Sequence, residues 1–120
     1  MKLIIDIKVI DLERATRFYE SVLGFECRIK KENWSAILVG DSEIHLYVDG
    51  GTTGHIEFYV DDIDREVKKL SSRGVEFISG INKPNAIEVD NLKITKFPWG
   101  RTAFFKDSEG NELALVKDVE

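Results

Sequence analysis

The chain has 120 residues, a formal net charge of -5, 42% hydrophobic and 32% charged residues, and a single cysteine. That length suits one domain, about 1-120, and can bury roughly two thirds of its unfolded surface without staples. The acidic balance argues against a nucleic-acid partner, which needs clustered Lys and Arg. No apolar run is long enough to span a membrane, Met1-Lys2-Leu3-Ile4 does not open a signal peptide, and the lone Cys27 fits a reducing, cytoplasmic setting.

In chain order, Leu3 to Val9 is rich in β-branched residues and predicts a strand. Asp11 is a good N-cap for an amphipathic helix of about three turns, with Leu12, Ala15, Phe18, Tyr19, Val22 and Leu23 on its apolar stripe and Gly24 at its end. Strands are predicted over Phe25 to Lys31, Trp34 to Val39 and Glu43 to Val48. The Gly- and Thr-rich stretch Asp49 to Gly54 reads as a hinge between two halves. Gly54 to Val60 is a strand that alternates, with His55, Glu57 and Tyr59 on one face and Ile56, Phe58 and Val60 on the other. Asp62 caps a second helix running through Arg73, with Ile63, Val67 and Leu70 facing inward. Val75 to Ile78 opens the next strand. Ala86 to Val89 and Leu92 to Thr95 flank Asp90-Asn91, which predicts a hairpin or lid closed by a two-residue turn. Thr102 to Phe105 and Glu112 to Val116 are the final strands, joined by the Asp107 to Asn111 turn.

The order of elements occurs twice. Ile5 to Arg14 lies over Ile56 to Arg65 at a constant offset. Leu23-Gly24-Phe25-Glu26 then lies over Arg73-Gly74-Val75-Glu76 after a one-residue slip, and Glu43-Ile44-His45-Leu46 lies over Glu112-Leu113-Ala114-Leu115. An internal duplication follows, with module one at about 1-49 and module two at about 54-118, each a strand, a helix and three strands. The insertion at 82-96 has no counterpart in module one.

Strand parity brings chemistry to one face of each module. His55, Glu57 and Tyr59 offer an imidazole, a carboxylate and a phenol, and Glu43, His45, Tyr47, Lys8 and Glu112 follow by the same alternation. Glu57 or Glu43 would serve as general base and His55 as acid if the face is catalytic; otherwise these groups bind polar ligand atoms or one another. Trp34 and Trp99 either stack a flat or cationic ligand or pack. Arg101 either holds an anionic ligand group or forms a salt bridge beside the Asp107 turn. Cys27, in Glu26-Cys27-Arg28, would need an activating neighbour to act as a nucleophile.

Asp11-Leu12-Glu13-Arg14-Ala15, Phe18-Tyr19, Leu23-Gly24-Phe25, Gly54-His55-Ile56, Asp61-Asp62-Ile63-Asp64, Arg73-Gly74-Val75, Pro98-Trp99-Gly100-Arg101, Phe105-Lys106-Asp107 and Glu109-Gly110-Asn111, in this order and spacing, resemble the vicinal oxygen chelate superfamily of glyoxalase I, bleomycin resistance proteins and extradiol dioxygenases. The resemblance implies an α+β fold of two tandem βαβββ modules whose mixed sheets curl around a cleft. It also implies a small-molecule ligand and a homodimer.

The four metal-ligand positions of the glyoxalase-like members fall on Ile4, His45, His55 and Ala114, and two of these are apolar. The expectation is therefore a small-molecule binder without the standard metal site and with no cofactor. The alternative is a lyase- or isomerase-type enzyme that uses His45, His55 and Glu57 as a displaced two-His-one-carboxylate site for a divalent Ni, Zn, Mn or Fe ion.

Overall fold

Ile4–Lys8 forms β1, and its buried Ile7 and half-buried Ile5 place alternate residues on the core side, as the β-branched run requires. The computed structural model describes residues 1–118. The chain divides into two units. The first comprises Met1–Gly54 with Asp107–Asn111, and the second His55–Lys106 with the chain from Glu112 onward.

In the first unit, β1 is followed by α1 (Leu12–Arg17), β2 (Glu26–Lys30), β3 (Trp34–Val39) and β4 (Ser42–Tyr47). The strands form one four-stranded sheet in the order β1-β4-β3-β2, with β1 parallel to β4 and the other pairs antiparallel. Leu12, Ala15 and Tyr19 bury against Ile7, Ile37, Ile44 and Leu46, side chains worth roughly 1.5–3 kcal/mol each when withdrawn from water. Buried Thr16 carries polar atoms into this core, and its hydroxyl is satisfied by Leu12 O at 2.7 Å and by Ser35 Oγ at 2.9 Å.

The first helix departs from the expected three regular turns. After Arg17 it continues as a π-helical turn over Phe18–Val22, in which Leu23 N bonds Phe18 O five residues back at 3.1 Å. This accounts for the one-residue slip in the repeat. Gly24 lies ten residues after Arg14, whereas Gly74 lies nine after Arg65, and a π-turn absorbs one extra residue without breaking a helix. Both glycines sit at positive φ, 81° and 94°, and end their helices in the backbone region open to glycine.

The second unit runs β5 (His55–Tyr59), α2 (Ile63–Ser72), β6 (Glu88–Val89), β7 (Thr95–Phe97), β8 (Gly100–Lys106) and β9 (Glu112–Asp118). Its five-stranded sheet has the order β5-β9-β8-β7-β6, with β5 parallel to β9. Ile63, Val67 and Leu70 of α2 bury against one face of this sheet, where Ala103, Phe105, Leu113 and Leu115 are also buried. The duplication holds at the level of register. Ile4 pairs with Glu43 and His55 with Glu112, the two pairs that the sequence repeat superimposes. Asp11 and Asp62 cap the two helices in the same way, accepting from Arg14 N at 3.0 Å and Arg65 N at 3.1 Å.

Two expectations for this unit need correction. Val75 to Ile78 does not form a strand; Ile78 makes an isolated antiparallel bridge to Phe104, beyond the Gly100 to Thr102 stretch of β8 that pairs with β7. The hairpin forms, but its turn spans Asp90 to Ile94 rather than two residues. Asp90 Oδ1 accepts from Leu92 N at 2.9 Å and Ile94 N at 3.0 Å, and Lys93 adopts φ 67°. An Asp that bonds its own downstream backbone favours this wider turn over a tight one.

Candidate functional site

Glu43, His45 and Tyr47 alternate along β4 and share the sheet face turned away from α1. Glu43 is the anchor. Only 1% of it is exposed, and a buried carboxylate must be paired or lose its charge. Arg28 donates to its Oε1 from Nε at 3.2 Å and Nη2 at 2.8 Å, and Lys2 Nζ pairs with its Oε2. His45 Nε2 lies 3.0 Å from the same Oε1. The Arg28 guanidinium first, then Lys2 and His45, hold the Glu43 carboxyl down to about 2. An ionised carboxylate only accepts, so Nε2 of His45 carries a hydrogen, and its Nδ1 faces the Tyr47 hydroxyl at 3.4 Å. Asp6 Oδ1 is 4.0 Å from that Nδ1. Trp34 stacks on Tyr47 with centroids 5.8 Å apart at 16° and leans on His45 at 5.2 Å. Lys8 sits opposite Tyr47 on β1.

The second unit presents a more open face. His55, Glu57 and Tyr59 are all exposed. His55 Nε2 is 3.5 Å from Glu57 and its Nδ1 is 3.8 Å from Glu112. Lys117 Nζ bonds the Tyr59 hydroxyl at 2.9 Å and lies 5.0 Å from the centre of its ring. Trp99 stacks one face on Phe97, 5.1 Å away at 9°, and remains 54% exposed. Glu57, Trp99 and Asp118 line one shallow depression together with the cationic side chains Arg101 and Lys117.

Arg101 lies elsewhere than expected. It falls out of phase with Gly100 and Thr102 on β8, on the α2 side of the sheet. Its guanidinium forks onto Asp64 at 2.9 and 3.0 Å and reaches Asp90 at 3.3 Å. The salt bridge is therefore to α2 and the hairpin turn, not beside the Asp107 turn. The arrangement lowers the Asp64 carboxyl, chiefly through Arg101.

The Asp107 turn has a different occupant. Tyr19 donates to Asp107 Oδ2 at 2.8 Å, and Glu109 receives Ile10 N, Asp11 N and Arg14 Nε at 2.9, 2.8 and 2.7 Å. Burial opposes the Glu109 charge, yet Arg14 and these amides bring it to about 2. The Cys27 thiol bonds Ile29 O at 3.3 Å and is pushed up by burial and then by Glu20, so nothing activates it.

The metal expectation can be tested against donor chemistry. Ile4 and Ala114 supply no donor atom, and Ala114 is fully buried. His45 has committed Nε2 to Glu43, whose oxygens already hold two cations. Among the described residues no three His, Cys, Asp or Glu side chains are gathered to hold a metal ion. The residues present do not fit the four-ligand glyoxalase arrangement.

Parity was sufficient to nominate Glu43, His45 and Tyr47. Arg28 and Lys2 were missed. The signal that would have found them is the burial of Glu43, which demands cationic partners and which alternation alone does not reveal.

No protein-family model matches the chain, and no curated protein matches it. Solved structures do. An antibiotic binding protein, TnmS3, from Streptomyces sp. CB03234 superimposes with TM-score 0.78 at 22% identity, over 99% of this chain and 96% of that one. A glyoxalase/bleomycin resistance protein from the same organism gives 0.72 at 23% identity, over 98% and 100%. A lactoylglutathione lyase from Agrobacterium tumefaciens gives 0.72 at 16% identity, over 95% and 90%. At these identities the likeness establishes the fold, which is the tandem βαβββ arrangement of the glyoxalase/bleomycin resistance proteins, as the resemblance to the vicinal oxygen chelate superfamily implied.

Proposed function

We propose that this chain, with its glyoxalase/bleomycin-resistance fold, binds a small organic molecule on the polar and aromatic sheet faces without a resident metal. The observation that carries the reading is Glu43. This buried carboxylate is neutralised by Arg28 and Lys2 and orients His45, so the first unit uses its acidic group to shape a surface rather than to ligate a cation. The solved structures with this fold include an antibiotic binding protein, which makes sequestration of a small molecule the parallel to draw, and the protein would act as a cytoplasmic homodimer.

The second reading, a metal-dependent lyase or isomerase, draws on His55 lying between Glu57 and Glu112. Metal analysis of protein purified without a His tag, followed by a small-molecule thermal-shift screen, separates the two. The expected result is no stoichiometric metal and a rise in Tm with at least one ligand. Stoichiometric Ni, Zn, Mn or Fe that disappears in His55→Ala would replace the binder reading with the enzyme.

A further inference from the structure

The duplicated modules treat their acidic groups differently, and the difference points to a ligand charge. In the first unit Glu43 is cancelled by Arg28 and Lys2. In the second unit Glu57 stands 53% exposed, with the imidazole Nε2 of His55 at 3.5 Å. Arg101 contributes to the same depression, but its guanidinium is forked onto Asp64 and Asp90. Lys117 also lines the depression, but its ammonium lies over the Tyr59 ring and bonds its hydroxyl at 2.9 Å, two residues from Glu57 on the same strand face. The chain's own ammonium therefore already rests on an aromatic ring of this face. The indole of Trp99 has one face covered by Phe97 and is otherwise half exposed, and it lines the depression that Glu57 closes, with Asp118 as a second carboxylate.

A carboxylate and an aromatic face lining one depression are the elements of organic-cation recognition. The ring quadrupole attracts the cation, and the carboxylate supplies full charge. We propose that the depression bounded by Glu57, Trp99 and Asp118 is a binding site for an ammonium or quaternary-ammonium group, so that the small molecule bound by this protein is an organic cation. This rests on the small-molecule-binding reading and deepens it.

The test is calorimetric titration with choline and with its neutral isostere 3,3-dimethylbutan-1-ol, on the intact chain and on Glu57→Gln and Trp99→Leu. Both positions are exposed, and circular dichroism spectra matching the intact chain are the check that the variants fold. Choline should bind about tenfold more tightly than the neutral alcohol, and each variant should weaken choline about fivefold or more while leaving the alcohol unchanged. Equal binding of the two probes, no choline binding, or choline binding indifferent to Glu57→Gln overturns the proposal. A thermal-shift screen whose hits are neutral or anionic sinks this inference alone. A screen with no hit of any charge, together with bound metal, sinks the binder reading beneath it.

Discussion

Glu43 is the residue where local chemistry is most constrained. Its carboxyl is held at about 2, against an ordinary 4.5. A group whose folded value lies below its unfolded value binds fewer protons when folded. It therefore contributes stability that is full above about 4.5 and disappears as the pH falls towards 2. Glu109 behaves alike, also at about 2, so the first unit carries two acid-sensitive anchors. Urea melts of Glu43→Gln should show a loss of stability at about pH 7 that shrinks below pH 4.5, where the carboxyl of the unfolded chain takes up its proton while the folded one, held at about 2, stays ionised. A stability difference that stays constant between about pH 7 and pH 2.5 would show that the Arg28 and Lys2 contacts are not what Glu43 supplies. Alternation could place Glu43 beside His45 because a strand has period two. It could not show that Glu43 is buried and Glu57 exposed, because burial depends on neighbouring strands. Glu43 sits on β4, flanked by β1 and β3, whereas Glu57 sits on the edge strand β5.

Among the elements, the helices were the most legible and the insertion the least. Asp11 and Asp62 each stand immediately before an apolar stripe, and each caps its helix through the amide three residues on. Because the two caps are geometric twins, Asp11→Ala and Asp62→Ala should each cost about 1 kcal/mol. Chemical denaturation checks this, and a cost confined to one of them would mean that the modules do not share their helix starts. The insertion resisted reading because its edges are tertiary. β7 exists through its pairing with β8. The preceding loop is pinned where Gly80 N bonds Thr95 Oγ1 at 2.9 Å, a place where an added Cβ would come within 2.5 Å of Phe104. A glycine required by close packing against a distant ring has no local signature.

Across the whole molecule, both sheets are open, with β1 and β2 at the edges of one and β5 and β6 at the edges of the other. Thr52 partly covers β1 through Lys8 N and Asp6 O. Open edges are a standing invitation to pairing, and a second copy of the chain is the partner that homo-oligomers supply. Sedimentation should give a mass near twice the 13.7 kDa of one chain; a mass matching one chain refutes the homodimer.

What the sequence determined by itself was the duplication. Its periodicity, its caps and its terminating glycines are local, and they survive as paired register, with Ile4 against Glu43 and His55 against Glu112. Even the one-residue slip between the halves was visible before its cause, the π-turn at Phe18–Val22. Tertiary structure decided the charges. It set Arg28 and Lys2 on Glu43, turned Arg101 away onto Asp64, and left Glu57 open beside Trp99. Period and propensity are carried by neighbours in the chain, whereas the pairing of a charge depends on which distant strand lies beside it and how much water the fold removes.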